Sequence, residues 1–265
     1  MPKVKNVVAA LPDPEILDLE ALKAAIADGS VTLVCVLGPT ASGKTRYAVQ
    51  LARELGQAEI ISADSRQVYR RMDIGTGKDL SEYGEVPYHL IDIAEPGSQY
   101  NVHRFCEDFK LAYNDIRSRG AIPVLCGGTG LYISAVTGGY DFSERKPLSA
   151  APKSQSAEAP KTFFIGTLVS RELRNARIDA RLDARLAEGM TEEIQGLLDE
   201  GVPPETLISY GLEYKFVTLY LTGQMDYLQM REHLAIAIHQ FAKRQMTWFR
   251  GMERSGVRIH WVEPT

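Results

Sequence analysis

Eight residues, Gly38-Pro39-Thr40-Ala41-Ser42-Gly43-Lys44-Thr45, carry the strongest chemical signal in this sequence. They fit the pattern G-x-x-x-x-G-K-[ST], and they stand where that pattern has mechanical meaning. Before them runs the apolar, β-rich stretch Val31 to Leu37, and after them Arg46 to Leu55 has helical character. A strand, a glycine turn and a helix start make a cradle whose backbone N–H groups and helix dipole favour an anion. In such a cradle Gly38, Thr40, Ala41, Ser42 and Gly43 supply backbone contacts. Lys44 reaches the terminal phosphate, and the Thr45 hydroxyl sits on Mg²⁺. The loop implies polyphosphate binding, without naming the polyphosphate or the reaction.

Further candidates follow along the chain. Asp64 comes just after the short strand Ala58 to Ser62. Residues past the carboxyl end of a parallel strand face the ligand crevice, so Asp64 is either a reacting carboxylate or a helix N-cap. Asp73 to Lys78 is a second glycine-bearing loop ending in a cation, and Gly127 to Tyr132 a tight turn after a strand. Arg174, Arg177, Arg181 and Arg185 share one helical face. That face is a solvated basic surface or a guanidinium stripe aimed at phosphate, whose oxygens Arg matches in bidentate geometry. Leu234, Ile238, Phe241, Gln245 and Trp248 form a stripe that reads as core, flanked by Lys243, Arg244 and Arg250.

The elements that must position these residues alternate between strand and helix. Asp13-Pro14 reads as an N-cap with proline at the first helical position, and Gly29 closes that helix. Tyr88 to Ile93 reads as a strand, Tyr100 to Arg119 as a helix, and Ile122 to Cys126 as a strand. Residues 142 to 161 are polar, proline-rich and low in complexity, and read as a mobile loop. Thr162 to Val169 returns to strand, Ser170 caps the arginine-bearing helix, and Val257 to Trp261 is a last strand. The alternation predicts an α/β fold, a parallel sheet flanked by helices. Residues 1–30 read as an N-terminal extension with one helix, and 31–265 as the phosphate-binding domain.

Composition is that of a soluble globular chain: 265 residues, 45% hydrophobic and 24% charged. A net charge of −4 gives no global pull toward nucleic acid, so such binding needs a local basic patch. There is no membrane-length apolar run and no signal-peptide pattern, so a cytoplasmic protein without a membrane role is expected. The three cysteines, Cys35, Cys106 and Cys126, lack metal or disulfide spacing and read as buried free thiols.

Gly38 to Thr45, Ile61 to Tyr69, Asp73 to Lys78, Tyr88 to Ile93, Gly127 to Tyr132 and Lys243 to Arg250, in this order, resemble the tRNA dimethylallyltransferases, also called tRNA isopentenyltransferases. The resemblance implies a P-loop NTPase-like fold with a helical C-terminal part. It implies that the phosphate loop holds the diphosphate of dimethylallyl diphosphate. The N6 amine of an adenosine at position 37 of the tRNA anticodon loop attacks the allylic carbon, and pyrophosphate leaves. It assigns Asp64 as general base and Thr129 as a hydrogen-bonding partner near the reacting centre. Lys44, Mg²⁺ at Thr45, Arg177 and Arg181 clamp the leaving group, and Ser65 and Gln67 read the adenine.

Two departures stand out. The stretch from Thr129 to Arg177 is short, and full-length members carry a helical insertion there that grips the anticodon stem. Arg66 stands where many members have an uncharged residue. A free adenine nucleotide is therefore the alternative acceptor, as in the adenylate isopentenyltransferases. A small-molecule P-loop kinase and a non-catalytic remnant are more distant alternatives. A monomer is expected.

Overall fold

The computed structural model describes residues 11–138, 140–141, 146–147 and 159–264. Its centre is a six-stranded sheet in the order β3-β2-β4-β1-β7-β8. The strands are β1 (Leu33–Leu37), β2 (Ala58–Ser62), β3 (Tyr88–His89), β4 (Ile122–Gly127), β7 (Thr162–Thr167) and β8 (Ile259–Val262). Every pairing in it is parallel. Two dipeptides, β5 (Tyr140–Asp141) and β6 (Lys146–Pro147), pair antiparallel outside that sheet. The sequence reading of 142–161 as a mobile loop falls otherwise mainly on residues 142–145 and 148–158, which lie outside the described residues.

Strand β1 is buried along its whole length because both faces of the sheet are covered. Its alternate residues part company: Leu33, Cys35 and Leu37 enter one apolar cluster, Val34 and Val36 the other. The second cluster takes α1 (Leu19–Ala27) through Leu22, and α2 (Lys44–Leu55) through Ala48, Val49, Leu51 and Ala52. The first takes α3 (Val102–Ser118), α4 (Gly130–Val136) and the helical C-terminal part. That part comprises α5 (Arg171–Ala187), α6 (Met190–Asp199), α7 (Pro204–Ser209), α8 (Leu212–Leu221) and α9 (Tyr227–Arg254). Such a doubly covered parallel sheet demands near-continuous apolar strands.

Caps set several boundaries. Ser170 starts α5 by accepting from the Leu173 N–H at 3.2 Å. Asp226 and Gln229 form a reciprocal capping box that starts the 28-residue α9. The first helix corrects the sequence reading. Asp18, not Asp13, caps it, accepting from Ala21 N–H at 2.9 Å. The chain before it is tied to β8 instead: Glu15 N–H donates to the Trp261 carbonyl, and its carboxylate meets His260 Nδ1 at 2.7 Å. The strand expected over Tyr88 to Ile93 also shortens. Leu90 and Asp92 have φ of 62° and 56°, so the backbone leaves the sheet after His89. The turn read at Gly127 to Tyr132 is the end of β4 running into α4, with Thr129 as its N-cap. Cys35, Cys106 and Cys126 are free thiols; Cys106 is half-buried, the other two are buried.

Candidate active site

The phosphate loop follows β1, the strand between β4 and β7 in the sheet, and leads into α2. Ala41 and Gly43 take positive φ of 60° and 81°, which bends the backbone round the helix start. Ser42 is fully buried and turned away from solvent, its Oγ 2.7 Å from Thr167 Oγ1. Gly38 abuts the same pair. Loop and β7 are thus fastened from behind. The Lys44 ammonium lies 3.5 Å from the Pro39 carbonyl. Burial pulls its pKa below the ordinary lysine value. A cation desolvated in this way favours an anionic partner, because a buried charge without one is costly.

Two clefts meet at this lysine. The outer one, about 350 Å³, is lined by Ala41, Gly43, Lys44, Thr45, Arg177 and Arg181, with Asp79 and Glu82 on its acidic side. The inner one, about 50 Å³, shares Lys44, Thr45 and Arg181 and adds Asp64, Gln67, Arg66, Arg185, Glu213 and Phe241 among others. Asp64 and the phosphate-loop lysine therefore border one space.

Local bonds hold Asp64 and its neighbours. Asp64 Oδ1 accepts from the Arg66 N–H at 2.9 Å, and the Ser65 N–H donates to Thr129 Oγ1 at 3.2 Å. Thr129 N–H in turn donates to the Ala63 carbonyl. The turns after β2 and β4 are stitched together at the carboxyl ends of neighbouring strands, where an open α/β sheet binds ligands. Gln67 is held by Ser62 Oγ and by its own donation to the Gly77 carbonyl, each at 3.2 Å. Of the residues singled out in the sequence, Thr40, Ala41, Gly43, Lys44, Thr45, Asp64, Gln67, Arg177 and Arg181 line one cleft or both. Gly38, Ser42, Ser65 and Thr129 stand behind them.

The arginine stripe divides. Arg177 faces the outer cleft, Arg181 borders both and Arg185 the inner one, while Arg174 is buried with its Nε unpartnered. Arg181 donates to Asp79 at 3.0 Å. Burial lowers the Arg185 pKa to about 10. Both guanidinium groups press on Gly77, where a Cβ would lie 2.4 Å from Arg181 and 1.5 Å from Arg185. Gly77 also has a φ of 64°, where a side chain is strained, and that conformation accounts for the glycine better than contact with flexible arginine tips. The loop itself is held by Glu193, whose carboxylate accepts from the N–H groups of Asp73, Ile74 and Gly75 and from the Tyr214 hydroxyl. Its cation, Lys78, is buried on Asp73, Asp92 and the Tyr69 carbonyl, so it is structural.

One residue is more than the core position its stripe suggested. Gln245, buried on α9, accepts from the Thr40 N–H at 2.8 Å and donates to the Gly128 carbonyl at 2.9 Å. It straps the phosphate loop to the turn after β4, and a Cβ on Gly128 would lie 2.3 Å from its amide nitrogen. The signal was present: an amide inside an otherwise apolar helical stripe must find partners. Glu213 was missed outright. It is buried, ion-paired to Arg66, and 3.8 Å from Arg185.

Among the described residues, no three His, Cys, Asp or Glu side chains gather as a metal-ligand group. The oxygen donors on the outer cleft are the Thr45 hydroxyl and the carboxylates of Asp79 and Glu82. Few protein oxygens beside a phosphate seat suit Mg²⁺, which keeps waters and takes most other ligands from the phosphate. No helix among the described residues is long and apolar enough to cross a membrane.

The fold and the loop define a P-loop NTPase-like protein. Comparison with known proteins narrows this. The family model described as IPP transferase matches residues 67–158 and 142–252, and that described as isopentenyl transferase matches 31–85. The chain is 46% identical to a tRNA dimethylallyltransferase of Parabacteroides distasonis, covering 89% of this chain and 94% of the relative. It is 47% identical to one from Azobacteroides pseudotrichonymphae, covering 87% and 92%. The crystal structure of the full-length tRNA isopentenylpyrophosphate transferase from Bacillus halodurans superposes with a TM-score of 0.76 at 30% identity, covering 88% and 89%. The chain belongs to the tRNA dimethylallyltransferase family. The alignment to the Parabacteroides enzyme spans 288 positions, more than the 265 residues present here, so that relative carries residues without a counterpart in this chain.

Proposed function

We propose that the protein transfers a dimethylallyl group from dimethylallyl diphosphate to the N6 amine of adenosine 37 in the tRNA anticodon loop, releasing pyrophosphate. The observation that carries this reading is that Asp64 borders the same cleft as Lys44 and Thr45. The diphosphate occupies the phosphate loop, with Arg177 and Arg181 opposite. Asp64 accepts a hydrogen bond from the N6 amine and orients its lone pair toward the allylic carbon. The N6–C bond forms as the C–O bond to the diphosphate breaks, and the N6 proton passes to Asp64. Charge gathering on the leaving pyrophosphate meets Lys44, Arg177 and Arg181. Mg²⁺, when bound by Thr45 and the acidic side of the outer cleft, supplies further neutralisation of that charge. Thr129 holds the Ser65 backbone from behind the cleft, and Gln67 frames the adenine. The setting is the cytoplasm, and the active species a monomer.

The test is direct. Incubation with labelled dimethylallyl diphosphate, Mg²⁺ and either bulk tRNA or AMP should place label in tRNA. Label in AMP alone would replace the acceptor, and phosphoryl transfer from ATP without prenyl dependence would replace the reaction.

A further inference from the structure

Next to Asp64 on the inner cleft stands a charged assembly that neither the diphosphate seat nor the base-reading residues use. Arg66 follows Asp64 by two residues and extends to Glu213 on α8, a partner 147 positions along the chain. Its guanidinium carbon lies 5.8 Å from the centroid of the Phe241 ring on α9. Arg66 and Glu213 side chains are 15% and 5% exposed, and Arg66, Glu213 and Phe241 all line the cleft that Asp64 lines.

Elementary costs make this arrangement informative. Fixing a long arginine in one geometry and burying its carboxylate partner are both unfavourable, and a buried ion pair is weak evidence for stability. A rigid planar cation beside an aromatic ring, at the wall of a cleft, is however a surface on which nucleobases stack. The opposite end of the cleft system, at Lys44, is reserved for phosphate.

We propose that Arg66, held in plane by Glu213 and backed by Phe241, is the stacking platform for the acceptor adenine. This deepens the functional reading above and rests on it. The platform fixes the plane of the base, and so the direction in which its exocyclic amine faces Asp64. It also accounts for an arginine beside the proposed catalytic carboxylate: Glu213, which Arg185 also approaches at 3.8 Å, fixes the position of its guanidinium, while its plane remains as the recognition element.

Arg66→Lys separates plane from charge, and Phe241→Leu removes the ring while leaving the ion pair. Both should raise the KM for a tRNA anticodon stem-loop by about 5- to 150-fold, the range for loss of one base-stacking contact. The KM for dimethylallyl diphosphate should stay unchanged. With pyrophosphate present, an unreactive stem-loop carrying purine at the target position should bind wild-type protein and lose affinity by a similar factor in either variant. Near wild-type acceptor KM in Arg66→Lys would mean that charge alone matters and would overturn the platform. Equal rises in both KM values would mean a collapsed cleft and would overturn it too. Should wild-type enzyme prenylate AMP but not RNA, the functional reading fails. The same variants assayed on AMP then decide the platform independently.

Discussion

Two loops of this protein end in Gly-Lys or Gly-x-Gly-Lys, and their lysines do opposite things. Lys78, at the end of Asp73 to Lys78, is buried and bonded to Asp73, Asp92 and the Tyr69 carbonyl. Lys44 is half-buried at the wall of two clefts, and among the described residues its ammonium has only the Pro39 carbonyl as a hydrogen-bond acceptor, at 3.5 Å. A lysine whose donors are all taken is mortar. One at the wall of a cleft with donors to spare is free to take an anion, as proposed for Lys44. The neighbouring chemistry agrees: Lys78 faces carboxylates from its own fold, and Lys44 faces a cleft with Thr45, Arg177 and Arg181.

The contrast can be broken at graded points. The largest effect is expected from Asp64→Asn, which keeps the shape and removes the proton acceptor. Its kcat should fall by about 10²- to 10⁴-fold with little change in diphosphate KM, measured by prenyl transfer to tRNA. Retained kcat would remove Asp64 from the reaction. Lys44→Met should cost about 10²- to 10³-fold in kcat while leaving the melting temperature equal or higher, because a desolvated charge has gone. Lys78→Met should show the reverse: destabilisation of about 2–3 kcal/mol in urea unfolding, as Asp73 and Asp92 lose their partner, and activity that tracks the folded fraction. If Lys78→Met instead melts normally and loses diphosphate binding, the division of labour is wrong.

A subtler effect comes from titration. Burial holds Lys44 below its ordinary 10.5, and the diphosphate proposed to bind there would raise it again. Affinity is therefore full below the free-protein pKa and weakens as pH rises from there toward the bound value. Binding in that window takes up a proton. Calorimetry in buffers of different ionisation enthalpy should show this uptake in wild type and its loss in Lys44→Met.

The strands were legible because a sheet covered on both faces leaves apolar runs, and β2 over Ala58–Ser62 matches its sequence reading end to end. The phosphate loop was legible because one local segment makes the whole cradle. What escaped depends on partners far along the chain. The expected strand through Ile93 stops at His89 because Asp92 turns back, and the reward for turning is Lys78. The pairing of Arg66 with Glu213 is set by tertiary packing, which no local pattern carries. Asp13 looked like a helix cap on composition, but the extended chain there is secured by Trp261 and His260.

The amide of Gln245 donates to one turn and accepts from the other, an arrangement with a single workable orientation. A carboxylate in its place, as in Gln245→Glu, would exchange the donor for a second oxygen facing the Gly128 carbonyl. The strap between the phosphate loop and the turn after β4 would be cut, and both turns would loosen together.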